Sequence, residues 1–246
     1  MNDRCLTSST VPSNISTYTL NPKPSTRVVA GVTIPDTPLI RKAIEYAQTN
    51  LTEFMLNHIM RSFLFGQIIA DGLPSLQSRD TELHAVAAIL HDLGWSQNKD
   101  LISKDKRFEI DGVNAARAFL MEEGRKEEWD VHRLQLAWDC IALHTTPSIG
   151  LHKEVEVQAC GIGIFEDFQG PERSIGGVLT RKEWDVVNKE LPRAGFRDGV
   201  KEVMCQLCID KPETTYDNFV AEFGMAFVPG YKPTTFLDGI WAKSEG

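Results

Sequence analysis

The stretch Glu82-Leu-His-Ala-Val-Ala-Ala-Ile-Leu-His-Asp-Leu-Gly94 decides how this chain is read. Leu83, Val86, Ala87, Leu90 and Leu93 recur at helical spacing, which predicts a core helix over Glu82 to Leu93 with His91 and Asp92 near its end. A neutral imidazole and a carboxylate side by side offer one nitrogen and one oxygen to the same divalent ion, and Gly94 lets the chain turn away behind them. His84, seven residues before His91, lies on a similar azimuth and could face the site behind the ligands, although it reads more simply as an ordinary semi-exposed histidine.

Working outward, two more donors lie on segments of helical periodicity. His58 stands in Asn57-His58-Ile-Met-Arg61, 33 residues before His91, and Asp167 in Phe165-Glu-Asp-Phe-Gln-Gly170, 75 residues after Asp92. Four ligands could therefore converge from three helices of a bundle. Asp167 sits among small and apolar residues (Ala159, Gly161, Ile162, Gly163, Ile164, Phe165), where an unpaired carboxylate is costly to bury and calls for a metal or a cationic partner.

The rest of the chain is also helical in pattern. Asp36-Thr37-Pro38 starts a helix over Leu39 to Asn50, and Thr52 to Asp71 follows with Leu56, Ile59, Phe63 and Ile68 near one face. Trp95 to Ile110 is polar and charged and reads as a loop over the ligand end of the core helix. Asp111 to Glu123, Asp130 to His144, Glu154 to Phe168, Thr180 to Leu191 and Arg197 to Asp210 read as further helices, with a capping box at Thr180-Arg-Lys-Glu183. Alternating strand patterns are few, so the fold class is all-α. Residues 1–34, rich in Ser, Thr, Asn and Pro, read as an irregular flexible arm, and residues 35–246 as a single catalytic domain whose Phe- and Gly-rich tail, Ala221 to Pro233, forms a lid or a strap.

Composition sets the outer limits. A chain of 246 residues with 42% hydrophobic content can bury one sizeable core. No apolar stretch reaches the length of a membrane span and the first ten residues lack the apolar core of a secretory signal, so the expected location is the cytoplasm, away from membranes. Five cysteines at irregular spacing disfavour a disulfide framework, and Cys205-Gln-Leu-Cys208 reads as buried helix content. The formal net charge of −8 argues against a nucleic-acid duplex as the natural partner. A small-molecule substrate is expected, with homo-oligomerisation left open.

The order His58, then His91-Asp92, then Asp167 resembles the HD-domain superfamily of metal-dependent hydrolases. The flanking stretches Asn57-His58-x-x-Arg61-Ser62, Leu90-His91-Asp92-Leu93-Gly94, Arg107-Phe108-Glu109-x-Asp111-Gly112 and Leu143-His144 are similar to its fungal cyanamide hydratase-like branch. The likeness covers roughly residues 33 to 170, with a weaker helical continuation to about residue 228. It implies a compact HD-domain helical bundle with His58, His91, Asp92 and Asp167 as metal ligands. Superfamily members that hold two metals place extra histidines where this chain has Phe108 and His144, so a single ion with an open position is expected. Zinc fits the mixed nitrogen and oxygen set, and iron, manganese or nickel are compatible with it.

Such an ion activates water and polarises an electron-poor centre, so hydration or hydrolysis is the expected chemistry. The resemblance implies addition of water to a small nitrile-like substrate, as in cyanamide to urea. That reaction needs a proton relay beside Asp92, for which His144 is the first candidate, Glu109 the second and His152 the third. Asn57, Arg61, Arg107 and His152 are the candidates for substrate contact, although Arg61 and Arg107 could instead pair with neighbouring acids. Two alternatives stand beside this one. An HD-type phosphohydrolase acting on a nucleotide or phosphate monoester could draw its cations from Arg61, Lys99, Lys104, Lys106 and Arg107. A non-catalytic, metal-stabilised binding protein would keep the ligands without turnover.

Overall fold

The Asp80 carboxylate accepts hydrogen bonds from the backbone N–H groups of Glu82 and Leu83, and so starts the helix that carries the His-Asp pair. In the computed structural model, which describes residues 25–241, that helix runs Thr81–Leu90. Every residue from Leu83 to Leu90 is buried, so the helix is the central member of the fold rather than a surface element. His91 follows at its C-cap, and Asp92 precedes a short 3-10 turn over Leu93–Trp95.

The described residues hold eleven α-helices: α1 Pro38–Asn50, α2 Glu53–Gly72, α3 Thr81–Leu90, α4 Phe108–Glu123, α5 Val131–Ala142, α6 Pro147–Gly150, α7 Val155–Gln169, α8 Arg181–Glu190, α9 Phe196–Asp210, α10 Val220–Phe227 and α11 Phe236–Trp241. Helices α1, α2, α5 and α7 surround α3. The fold is all-α, as its periodicity requires. Thr180 and Glu183 form the expected capping box ahead of α8, and the four described cysteines are free, with Cys208 buried in α9. No helix among the described residues is long and apolar enough to cross a membrane.

The expectation of an irregular arm needs correcting where it can be followed. Residues 1–24 lie outside the described residues, but Thr26–Val29 (β1) and Val32–Pro35 (β2) pair as an antiparallel hairpin. Ala30 and Gly31 take positive φ of 47° and 78°, the two-residue turn that matches strand twist. Val32 and Ile34 then reach the main core on one face. The alternation runs over too few residues to stand out beside the Ser- and Pro-rich text before it.

Helices α2 and α7 pack closely against one another. A Cβ on Gly163 would lie 2.3 Å from the carbonyl oxygen of Ser62 and 2.6 Å from the Cα of Gly66. Only paired glycines permit this approach, and it carries His58 on α2 against Asp167 on α7. Gly94 has a related purpose. Its φ is not positive, and a Cβ there would meet the Phe108 carbonyl at 1.9 Å, so the residue admits the start of α4 rather than a left-handed turn.

A second, smaller apolar cluster closes the ligand end of the bundle. It joins Met55, Trp95 and Phe108 to Phe196, Val200 and Met204 of α9 and Val220 of α10. Lys211, just after α9, is buried against Asp111 at 2.6 Å and also donates to the Ser103 carbonyl, which pins the loop before α4.

His84 is fully buried rather than semi-exposed. Its Nδ1 accepts from the Arg79 guanidinium at 3.3 Å, which assigns the ring proton to Nε2. Burial first, then the charge of Arg79, lowers its pKa to about 3. The folded state therefore holds the neutral ring, and its contribution is complete above pH 6.5 and is lost as pH falls toward 3. At pH 4.5 the loss amounts to about 2–3 kcal/mol from this residue. Urea unfolding of the metal-free protein at pH 7 and 4.5 checks this: the stability difference between the two pH values should be smaller in His84→Gln, by about that amount.

Candidate metal centre

Three imidazoles and one carboxylate meet at the C-terminal end of α3, and a hydrogen bond behind each ring fixes which nitrogen points inward. His91 Nδ1 donates to the Ala88 carbonyl at 2.8 Å, the natural partner one turn back from a helix end. His144 repeats the device at the end of α5, donating from Nδ1 to the Ile141 carbonyl at 2.6 Å. His58 turns its Nδ1 to Asp167 Oδ2 at 2.7 Å. Each ring thus directs Nε2 inward.

All three face Asp92. His91 Nε2 lies 3.1 Å and His58 Nε2 3.3 Å from Oδ2, while His144 Nε2 lies 3.5 Å from Oδ1. The four residues are 0–4% exposed. His58 Nε2, His91 Nε2 and both Asp92 oxygens are buried without a hydrogen-bond partner. Burial raises the Asp92 pKa, but the imidazoles of His91, His58 and His144 more than reverse this and hold the group well below the usual carboxylate range. Burial and the neighbouring His91 lower His144 to about 4, leaving it neutral near pH 7.

An ionised carboxylate facing converging imidazole nitrogens is a donor set for a cation. Donor atoms of His58, His91 and Asp92 lie within 4.8 Å of one another. Ligands held at 2.0–2.1 Å across a tetrahedral angle stand about 3.3–3.4 Å apart, close to the separations seen here. The residues present therefore fit a divalent ion, and His58, His91 and Asp92 would hold it.

Asp167 takes a different place from the one its sequence order implies. Its oxygens bind His58 Nδ1, accept Nε and a terminal nitrogen of Arg61 at 2.7 and 2.9 Å, and accept from Arg193 as well. It stands behind His58 and orients that ring, the carboxylate–histidine arrangement common at metal sites, rather than adding an oxygen to the cluster. Burial raises its pKa, yet His58 and Arg61 hold the carboxylate well below its ordinary range.

The other candidates separate clearly. Arg61 is fully buried, with its remaining nitrogen on the carbonyls of Leu191 and Pro192, so it has nothing left for a substrate. Asn57 also donates to the Pro192 carbonyl. Glu109 is buried behind Thr145, which donates to it at 2.6 Å, and it pairs with Arg107 at 2.6 Å. Burial pushes the Glu109 pKa up, and Arg107 more than reverses this and holds it below the usual range. Arg107 also faces Asp217. His152 is exposed on the turn after α6.

Above the cluster is a cavity of about 320 Å³. His58, Asp92, His144 and Thr145 form its floor, and Trp95, Ile164, Phe165, Phe168, Val200, Phe219 and Phe223 its walls. Asn57, Arg61, Glu109, Arg107 and His152 do not line it. Phe108 packs its ring against His144 with centroids 5.7 Å apart, which makes that side apolar. The sequence reasoning missed Thr145, Phe165 and Phe168, although each neighbours or nearly neighbours a residue it had singled out. It also missed Arg193, which no local signal marks.

Comparison with known proteins bears on the same stretch. A search of curated proteins found no match. The family model for the HD domain matches residues 55–172, a span that begins just before His58 and ends just after Asp167. HD domains are all-helical and are generally metal-dependent hydrolases that bind a divalent ion. Residues 55–172 of this chain are therefore similar to an HD domain.

Proposed function

We propose that this protein is a metal-dependent hydratase that adds water across the carbon–nitrogen triple bond of a nitrile-like substrate, with cyanamide to urea as the smallest case. The observation that supports this over phosphate chemistry is the make-up of the cavity. Among the described residues that line it there is no Arg or Lys. Phosphoryl transfer relies on cations around the transferred group. Arg61, Arg107 and Arg193 are engaged by Asp167 and Glu109, while Lys99, Lys104 and Lys106 are exposed and lie outside the lining.

A divalent ion on His58, His91 and Asp92 would supply an activated water near neutral pH and Lewis acidity that polarises the nitrile and makes its carbon more electrophilic. His144 supplies the proton path. Its Nδ1–H stays on the Ile141 carbonyl, so Nε2 accepts a proton from water and returns it to the substrate nitrogen. The water oxygen bonds to carbon as one carbon–nitrogen π bond opens, and the remaining proton moves from oxygen to nitrogen to give the amide. Glu109 holds the Thr145 hydroxyl hydrogen, which leaves that oxygen as an acceptor for the nascent N–H.

The test is metal analysis with parallel urea-release and phosphate-release assays on wild type and His144→Gln. About one ion per chain in both proteins is expected, with urea from the wild type and a rate lower by roughly 100- to 10,000-fold in the variant. Phosphate release without urea would replace this reading with an HD-type phosphohydrolase. Bound metal with neither product would leave a metal-stabilised binding protein.

A further inference from the structure

We infer that the substrate of this site carries an uncharged, apolar body about the size of a phenyl ring or slightly larger, attached to the group that reacts at the metal centre. The reacting group rests on the hydratase reading above, whereas the body is argued from the cavity alone.

The first argument is size. A volume of about 320 Å³ corresponds to on the order of ten waters at roughly 30 Å³ each. Cyanamide has three non-hydrogen atoms and would leave most of that space to disordered solvent against aromatic walls. Ligand pockets normally enclose most of what they bind.

The second argument is polarity, which is arranged along one axis. Apart from the indole N–H of Trp95, which has no hydrogen-bond partner, the polar groups that line the cavity belong to His58, Asp92, His144 and Thr145, while the walls come from four separate segments: Trp95 after α3, Phe165 and Phe168 on α7, Val200 on α9, and Phe219 and Phe223 beside or on α10. Phe168 sets its ring edge-on to His58 with centroids 5.1 Å apart, and it is 49% exposed, so it marks the mouth. Phe219 stands edge-on to both Phe108 and Phe223. Rings presented in this way favour an aromatic or branched aliphatic body.

The third argument is charge. A carboxylate or phosphate on the body would be desolvated without a partner, because no Arg or Lys is among the described residues that line the cavity, and Arg61, Arg193 and Arg107 are engaged by Asp167 and Glu109. The site therefore selects against anionic substrates as well as for apolar ones.

Product amides test this without requiring turnover. Isothermal titration of the metal-loaded full chain should show phenylacetamide binding roughly 10- to 100-fold tighter than acetamide. Phenyl phosphate should bind no tighter than inorganic phosphate. Val200→Phe, which fills the wall contributed by α9, should weaken phenylacetamide at least about tenfold. Phe223→Ala, at a half-buried position, provides a second variant should the first not fold, and should also weaken it. In turnover, phenylacetonitrile should exceed cyanamide in kcat/KM. Equal binding of the two amides would overturn the inference even where cyanamide is hydrated, and the hydratase reading would then stand alone. Tight phenyl phosphate binding would overturn its uncharged part. Tight phenylacetamide binding with no nitrile hydrated would support the apolar body and remove the proposed reaction.

Discussion

Saturating zinc is expected to raise the thermal midpoint of the wild type by about 8–16 °C and to leave Asp92→Asn unmoved. The size follows from linkage. A ligand that binds only the folded state at a thousand times its Kd adds about 4 kcal/mol, and for a chain of this length each kcal/mol shifts the midpoint by about 2–4 °C. The sign follows from the donor set. Asp92 is the only anion among His58, His91, His144 and itself, and both its oxygens are buried with no hydrogen-bond donor. An amide at that position keeps the shape but puts N–H groups or a neutral oxygen where the charge was, so the ion loses both a ligand and its counter-charge. Scanning calorimetry with excess zinc and with chelator reads the effect in both proteins. A zinc response in Asp92→Asn as large as the wild type's would mean that the ion binds elsewhere.

Much of this centre was legible in the sequence because its donors lie at helix ends. The apolar run from Leu83 to Leu90 can only be a buried helix, so His91 and Asp92 had to emerge together from the core. His144 ends α5 with the same backbone device as His91, a ring nitrogen returned to the carbonyl three residues earlier, and that spacing is local. The eight long helices were legible for a related reason. Periodicity and caps such as Asp80 and Thr180 are short-range properties.

What the sequence hid was orientation and long-range closure. The order of His and Asp residues gives donor types but not which ring nitrogen faces inward. Asp167 was therefore expected as a ligand, although it sits on the Nδ1 side of His58. Arg61 is three residues beyond His58 on the same helix and shares its acid, a pairing the spacing permits but does not require. The cavity walls depend on α9 and α10 folding back over the bundle's open end, a contact between segments some hundred residues apart. The hairpin was missed because four-residue strands leave a weak trace, and its burial depends on helices that come later.

Asp167→Asn is expected to lose about 3–5 kcal/mol of stability in the absence of any metal. Arg61 is fully buried, and two of its nitrogens end on the Asp167 carboxylate; removing that charge leaves a guanidinium in the core with only carbonyl partners. The same substitution frees His58 to rotate, so metal affinity should fall by roughly 10- to 100-fold, less than the complete loss expected when a ligand is removed. The double variant Arg61→Met with Asp167→Leu separates the two effects. Replacing a buried ion pair by apolar residues of similar volume is often neutral, so most of the stability should return while the metal affinity remains low. Urea unfolding in chelator measures the first quantity and zinc titration the second. A wild-type stability for metal-free Asp167→Asn, with all zinc binding lost, would return Asp167 to the ligand set. Loss of stability in chelator with residual zinc binding would place it where the hydrogen bonds do, as the residue that neutralises Arg61 and aims His58.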